Sequence, residues 1–582
     1  MTSHRLQQQL LALTLPVGCL LTPIVANGQS TWVGTTSTDW GTATNWVPGI
    51  PAENADIAIA DATGSTNNLV LDTSHAIGTY TFGSTGTRTG GFTVQTTTNH
   101  ILTLNTGIVA NGAFTAVGPT MRGNFTVSAD QTWDVAGASG VFSDDRGLAV
   151  RGSVDVAANV PSGNLVLNGN VTKIDTGAVM LLGLNVTGSG NLVIDQGALK
   201  LNAGGSQPLV LGGTGNITVN NSASLYMAKN SGTFDVTRPI VMTGTSAMSI
   251  GNGSNTTIAS NMAWNGSTHS LSVASTYTFS GAWTGAATVN KSGGSELTLT
   301  GNNSGFTGTL NLTAGRVTFG SNFPGAVNLQ ATGQIGGEAV LSGSVALNGG
   351  AIYADPTTPG ALTVSGPLTL TGTNTVNLLS TPAVGSSTKV LSYSGAITGG
   401  IGNLAAAAGF RNAVFSEPVS GEIELATGNA SRTWNGGANW DIGISANWLE
   451  GDNLFYQADA VSFGDTGFGS VALTGNLAPS SITINNSLGN DYLFTAAGGN
   501  LISGSTGITK SGEGSVTLQG VNTFTGNIAV NAGTFKPGGN QALGGNGKTI
   551  TVAAGAVFDT NGSMNANRDY DAVITGDGSG DG

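Results

Sequence analysis

Two clusters of carboxylates beside cations are candidates for chemistry. Asp144, Asp145 and Arg146 are contiguous, and Asp175 and Asp195 are separated by a twenty-residue step with Lys173 and Lys200 close by. A polysaccharide lyase or hydrolase needs carboxylates for proton transfer and a cation to hold an acidic sugar, so these two clusters define the enzyme reading. Other reaction classes find less. His75, His100 and His269 have no cysteine or second histidine at metal-ligand spacing, and each reads as a turn or surface residue. No G-x-S-x-G elbow with a base is present, and Gly464-Asp465-Thr466-Gly467 carries threonine where a nucleophilic serine would stand. The expectation is a protein that is not an enzyme, with no catalytic residue, cofactor or metal ligand assigned. A polysaccharide-degrading enzyme is the alternative.

Tryptophan is the second candidate chemistry, because an indole face packs on the apolar face of a pyranose ring. Six of the nine tryptophans fall in two similar heads: Trp32, Trp40 and Trp46, then Trp434, Trp440 and Trp448. Both heads close on Asn-Trp (Asn45-Trp46, Asn447-Trp448) at the same distance from the opening tryptophan, and an Ala-Asp pair follows in each (Ala55-Asp56, Ala458-Asp459). The competing reading is a structural cap over the open end of a repeat array, where strand edges would otherwise recruit other chains. That reading predicts Trp46 and Trp448 buried in equivalent positions.

Short strands and turns must carry these side chains. Trp133-Asp134-Val135, Val154-Asp155-Val156, Ile174-Asp175-Thr176 and Ile194-Asp195-Gln196 recur at steps of 21, 20 and 20. A period near twenty suits one coil of a β-helix, and it predicts a solvent-facing column of four carboxylates, Asp134, Asp155, Asp175 and Asp195. Residues 100–350 are expected to form one continuous rod. A longer-range repeat agrees: Lys510–Phe535, KSGEGSVTLQGVNTFTGNIAVNAGTF, has a near copy at Lys291–Phe319, KSGGSELTLTGNNSGFTGTLNLTAGRVTF. Both alternate apolar residues at period two between Gly, Asn and Thr turns.

The stretch Lys510–Thr534 fits K-S-G-x-G-x-x-T-L-x-G-x-N-T-[FY]-T-G-x-x-x-V-x-A-G-T, and so resembles the autotransporter-associated β-strand repeat, or passenger-associated transport repeat. The copy at Lys291 departs from it by two asparagines and an extra glycine before Phe306. The resemblance implies a right-handed parallel β-helix outside the cell, with a tryptophan head before each block.

Composition agrees with an all-β chain. There are 92 glycines and only 8% charged residues, too few helix formers for a helical protein. A net charge of −13 argues against nucleic acid and anionic membranes as partners. Residues 1–28 read as a signal peptide, with an apolar run Leu10–Ala26 that contains the sole cysteine, Cys19. Pro16-Val17-Gly18-Cys19 is a poor lipoprotein box, and no later stretch is apolar enough to span a membrane as a helix. The first head and block are expected over 30–427, and the second head and block over 428–582. Residues 389–425 should be less regular, with Ala405–Ala408 as a helical turn or tight loop. The chain ends on the approach to another repeat, as if cut short. The expected function is an exported cell-surface structural or interaction protein, a stalk or adhesin-like passenger. Its partners would be extracellular glycans or neighbouring cells and, in transit, secretion or outer-membrane machinery.

Overall fold

The computed structural model describes residues 29–33, 37–59, 68–82, 87–88, 93–97, 100–110, 113–114, 120–135, 148–151, 163–201, 208–228, 234–251, 256–330, 332–357, 361–380, 382, 385–407, 409–539, 541–560 and 570–574. These form a parallel β-solenoid of about 19 turns. Among them the only helical elements are two three-residue 3-10 turns, Ala43–Asn45 and Ile401–Asn403. The strands alternate buried and half-exposed positions, as in Ile217–Val219, Leu297–Leu299 and Thr309–Leu312. The period-two apolar pattern therefore fills the interior, and Thr, Asn and Ser take the outer face. A coil contributes one strand to each of three ladders, and the ladders close around a continuous core. Within that core Trp264, Trp283, Phe306 and Phe323 form a column of tilted and edge-on rings in successive coils, with ring centroids 5.0, 5.9 and 5.1 Å apart.

Near the start two long strands, His75–Phe82 and Ile101–Ala110, serve two ladders at once. Asn124–Val127 pairs with the first half of the latter and Gln131–Val135 with its second half. From there the described strands of 100–350 continue as parallel rungs.

Coil length is less constant than the sequence period suggests. Ala178 pairs with Ala198, Ala198 with Ser224 and Val327 with Val345, so the step varies from 20 to 26 to 18. The largest departure falls on the aspartate series. Trp133 pairs directly with Lys173 and Asp134 with Ile174, a step of 40 residues between adjacent rungs where the sequence period expects two coils. Asp155 lies outside the described residues. Lys173 pairs with Ile194, which sets Ile174 rather than Asp175 against Asp195. Asp175, at φ 66°, turns out of the column. The expected column of four carboxylates is replaced by a mixed ladder. The Asn220 amide donates to the Asp195 carboxylate, and the Thr243 hydroxyl donates to Asn220 at 2.8 Å. Alternating acceptors with donors removes the repulsion that stacked carboxylates would impose.

The irregular segment is an antiparallel hairpin, Arg411–Val419 with Glu422–Gly428, laid against Ser387–Tyr393 with register shifts. Leu404–Ala406 is a strand rather than a helical turn, and Ala408 is not among the described residues. One buried core runs from Trp32 to Leu425 and another from Trp434 to Val552. They meet at an ion network. Arg411 donates to Asp459 at 3.1 Å and to Asp452 at 2.9 Å, and Arg432 donates to Asp452 at 2.8 Å. Asp459, fully buried, also accepts the Ala430 and Tyr456 N–H groups.

Candidate functional site

The two heads are built alike. Trp32 pairs with Trp46 and Trp434 with Trp448 in antiparallel register, with indoles edge to face at 5.0 and 5.1 Å. The middle tryptophan enters from different sequence positions yet reaches the same partner: Trp40 lies 4.9 Å from Trp46, and Trp440 lies 5.7 Å from Trp448. All six are at most 3% exposed, and Trp46 and Trp448 are buried as expected. No indole face of the heads is open to a sugar, so the heads act through packing.

The buried cations form a second recurring arrangement, which sequence reasoning missed. The Lys291 ammonium, fully buried, donates to the carbonyls of Gly293 (3.2 Å), Ser295 (3.1 Å) and Ala314 (2.9 Å). Lys510 donates to Gly512 and Ala532, and Lys173 to Asp175 and Gln196. In each case the first acceptor is two positions on and the last belongs to the next coil. A glycine closes each cage in the same way: a Cβ on Gly197, Gly315 or Gly533 would sit 2.6 to 2.7 Å from the ammonium and still closer to a carbonyl. All three have φ of 67 to 69°, which disfavours any other residue. The K-S-G signature at Lys291 and Lys510 is therefore an ammonium caged by turn carbonyls. Burial pulls Lys173 and Lys291 down to about 8, against the opposing charges of Asp175 and Asp134 in the case of Lys173. Arg238 is used similarly, capping Gly190 (2.5 Å), Gly188 (3.0 Å) and Gly212 (3.0 Å).

This arrangement decides where the candidate catalytic residues fall. Lys173 and Lys200 are buried inside the coil, at 1% and 0% exposure. Asp175 is half-buried in a turn, where it accepts the Thr176 N–H at 2.6 Å, and Asp195 is tied to Asn220. Among the described residues these four do not converge on an open groove. Asp144, Asp145 and Arg146 lie outside the described residues. His75 lies between Glu53 (3.1 Å) and Asp72 (3.4 Å) against Trp40, and His100 caps a turn with Thr97 at 2.8 Å. His269 corrects the surface reading. It is fully buried, between Ser246 (2.9 Å) and the Asn265 carbonyl (2.9 Å), and burial lowers its pKa against those two contacts.

Among the described residues, two open grooves lie on either side of the exposed Leu379. One, of about 220 Å³, includes Glu296, Arg316, Glu338, Tyr353, Asp355 and Lys389. Arg316 pairs with Glu296 and lies over the Tyr353 ring at 4.8 Å, and Lys389 pairs with Glu422 at 2.8 Å. Burial raises the Glu296 pKa, but hydrogen bonds from Arg316 and Thr318 outweigh it and leave it below the ordinary value. A carboxylate so held stays ionised at neutral pH, which suits binding better than proton donation. The other groove, of about 340 Å³, runs between the end of the first core and the start of the second.

Comparison with known proteins gives one local likeness. An adhesin described as the BmaC autotransporter, from Brucella suis biovar 1 (strain 1330), is 36% identical over 108 residues, which is 18% of this chain and 3% of that protein. No family model matches the chain, and no solved structure matches it. The chain thus shares a stretch with an autotransporter adhesin on a β-solenoid scaffold, and it spans a small fraction of that relative's length. Among the described residues no helix is long and apolar enough to cross a membrane.

Proposed function

We propose that this chain is an exported, cell-surface passenger that acts as a stalk or adhesin, built from autotransporter-associated repeat units and divided near Gly428 into two blocks. The observation that carries this reading is the local likeness to an autotransporter adhesin, together with a parallel solenoid whose length grows by stacking. Residues 1–28 serve as the export signal, and the partners are extracellular glycans or neighbouring cells. The tryptophan heads cap each block, and the grooves beside Leu379 offer the contact surface.

Protease treatment of intact cells followed by mass spectrometry tests the location: peptides from the solenoid should be released without lysis. Display of the chain on a non-adherent bacterial host tests the role, with increased attachment to glycan-coated surfaces expected. Peptides recovered only after lysis, or display that leaves attachment unchanged, would overturn the proposal.

A further inference from the structure

The groove between the two cores carries a more specific assignment, which rests on the adhesin reading above. Its walls come from 377–380, 407, 410, 457, 476, 478, 503–504 and 523, and no lining residue is charged. The adjoining groove across Leu379, by contrast, is lined by Glu296, Arg316, Glu338, Asp355 and Lys389. An acidic or basic ligand in the first groove would leave its hydration shell without meeting a counter-charge. Anions are disfavoured further by a chain of net charge −13.

The lining chemistry has two parts. Asn377, Asn476, Ser503 and Thr523 bring amides and hydroxyls that both donate and accept, matching ligand hydroxyls. Leu379, 53% exposed, and the half-buried Phe410 bring apolar surface, which suits the C–H face of a pyranose.

The walls are also fixed before any ligand arrives. Phe410 and Gln457 form a parallel bridge, with the Gln457 N–H donating to Gly409 at 2.7 Å. The Gln457 side chain donates to the Asn476 carbonyl (2.7 Å) and accepts the Ala478 N–H (2.6 Å). The Arg411–Asp459 ion pair ties the same two segments together. A groove held in this way orders few groups on binding, which favours affinity for a weakly interacting, hydroxyl-rich ligand.

We infer that the groove between Leu379, Phe410 and Thr523 binds an uncharged oligosaccharide.

Calorimetric titration of the whole chain with neutral hexasaccharides (cello-, xylo-, manno- and maltohexaose) and with hexagalacturonate tests this. At least one neutral hexamer should bind at least about tenfold more tightly than hexagalacturonate. Thr523 is exposed, so Thr523→Trp should fold while filling the groove, and it should weaken that binding at least about tenfold; Leu379→Ala should weaken it about fivefold. Asp235→Asn, exposed on the strand Phe234–Val236 and outside both grooves, should leave it unchanged. Tighter binding of the acidic hexamer, binding indifferent to both Thr523→Trp and Leu379→Ala, or no neutral hexamer bound below about 1 mM would overturn the assignment. The two levels of the reading separate on displaying cells. Attachment that survives Thr523→Trp unchanged refutes this groove and keeps the adhesin. Hexamer binding lost in Thr523→Trp, by a chain that confers no attachment, keeps the groove and refutes the adhesin.

Discussion

Replacing Lys291 with methionine removes one charge from the core and leaves the stem volume nearly intact. Two opposing terms set the outcome. The ammonium donates to three carbonyls, of Gly293, Ser295 and Ala314, and a charged hydrogen bond contributes about 2 kcal/mol, so about 6 kcal/mol is lost. Against this, the variant escapes the cost of burying a charge. Burial alone pulls the lysine from 10.5 to about 8, and at about 1.4 kcal/mol per unit that relief is about 3.5 kcal/mol. The net cost is about 2.5 kcal/mol, local to the coils joined by strands Thr288–Ser292 and Thr309–Leu312. A solenoid need not unfold in one step, so amide hydrogen exchange is the appropriate assay. Amides of those strands should exchange on the order of 100-fold faster at pH 7. Lys389→Met, which breaks a surface pair whose side chains are 33% and 32% exposed, should change exchange severalfold at most. If Lys291→Met behaves like Lys389→Met, the cage contributes nothing and the reasoning fails.

The same cages predict a pH dependence. Lys173 and Lys291 titrate at about 8 in the folded chain and near 10.5 unfolded, so between those values the unfolded state binds more protons. Their contribution to stability therefore grows as pH rises through that window and is withdrawn as pH falls towards 8, because the neutral amine still donates to the carbonyls but no longer carries a buried charge; carbon-detected titration of the lysine Cε resonances checks it, and midpoints at 10.5 or above would refute it. Gly315→Ala forces a side chain into φ 68° and against the Gly293 carbonyl, and should cost more than about 1 kcal/mol by local exchange. Gly294→Ala, with nothing within 4 Å, should be close to neutral by the same measurement. Trp448→Ala should cost about 3–5 kcal/mol and loosen the strands after Trp434, with exchange in residues 256–329 unchanged.

Much of the fold was legible because its determinants are local. Period-two apolar runs between glycine-rich turns specify strand and turn, and the I-D-x-G-A copies at Ile174 and Ile194 do mark one coil, as the pairing of Ala178 with Ala198 shows. The matching distances from Trp32 to Trp46 and from Trp434 to Trp448 likewise foretold equivalent burial. The step from Asp134 through Asp155 to Asp175 failed because a period in sequence says nothing of where extra chain is inserted: Trp133 pairs directly with Lys173, 40 residues on. The role of Lys291 and Lys510 was hidden for another reason. A lysine among polar residues reads as solvated, and only the return of the next coil, with the Ala314 or Ala532 carbonyl, creates a buried place for its charge. The grooves draw on residues far apart, such as Asn377 and Thr523, and no spacing rule joins them.

Each carbonyl cage takes its last ligand from the coil that follows: Gln196 for Lys173, Ala314 for Lys291 and Ala532 for Lys510. A chain folding progressively from its amino-terminal end would carry an incompletely coordinated amine at its tip each time one of these coils forms. Arrival of the next coil closes the cage, and any backward slip must reopen it and return a charge to a half-built site. Each such lysine would then work as a pawl. For a chain that passes a narrow opening unfolded, folding on the far side would convert thermal back-and-forth motion into net outward travel, with no other source of work at that step.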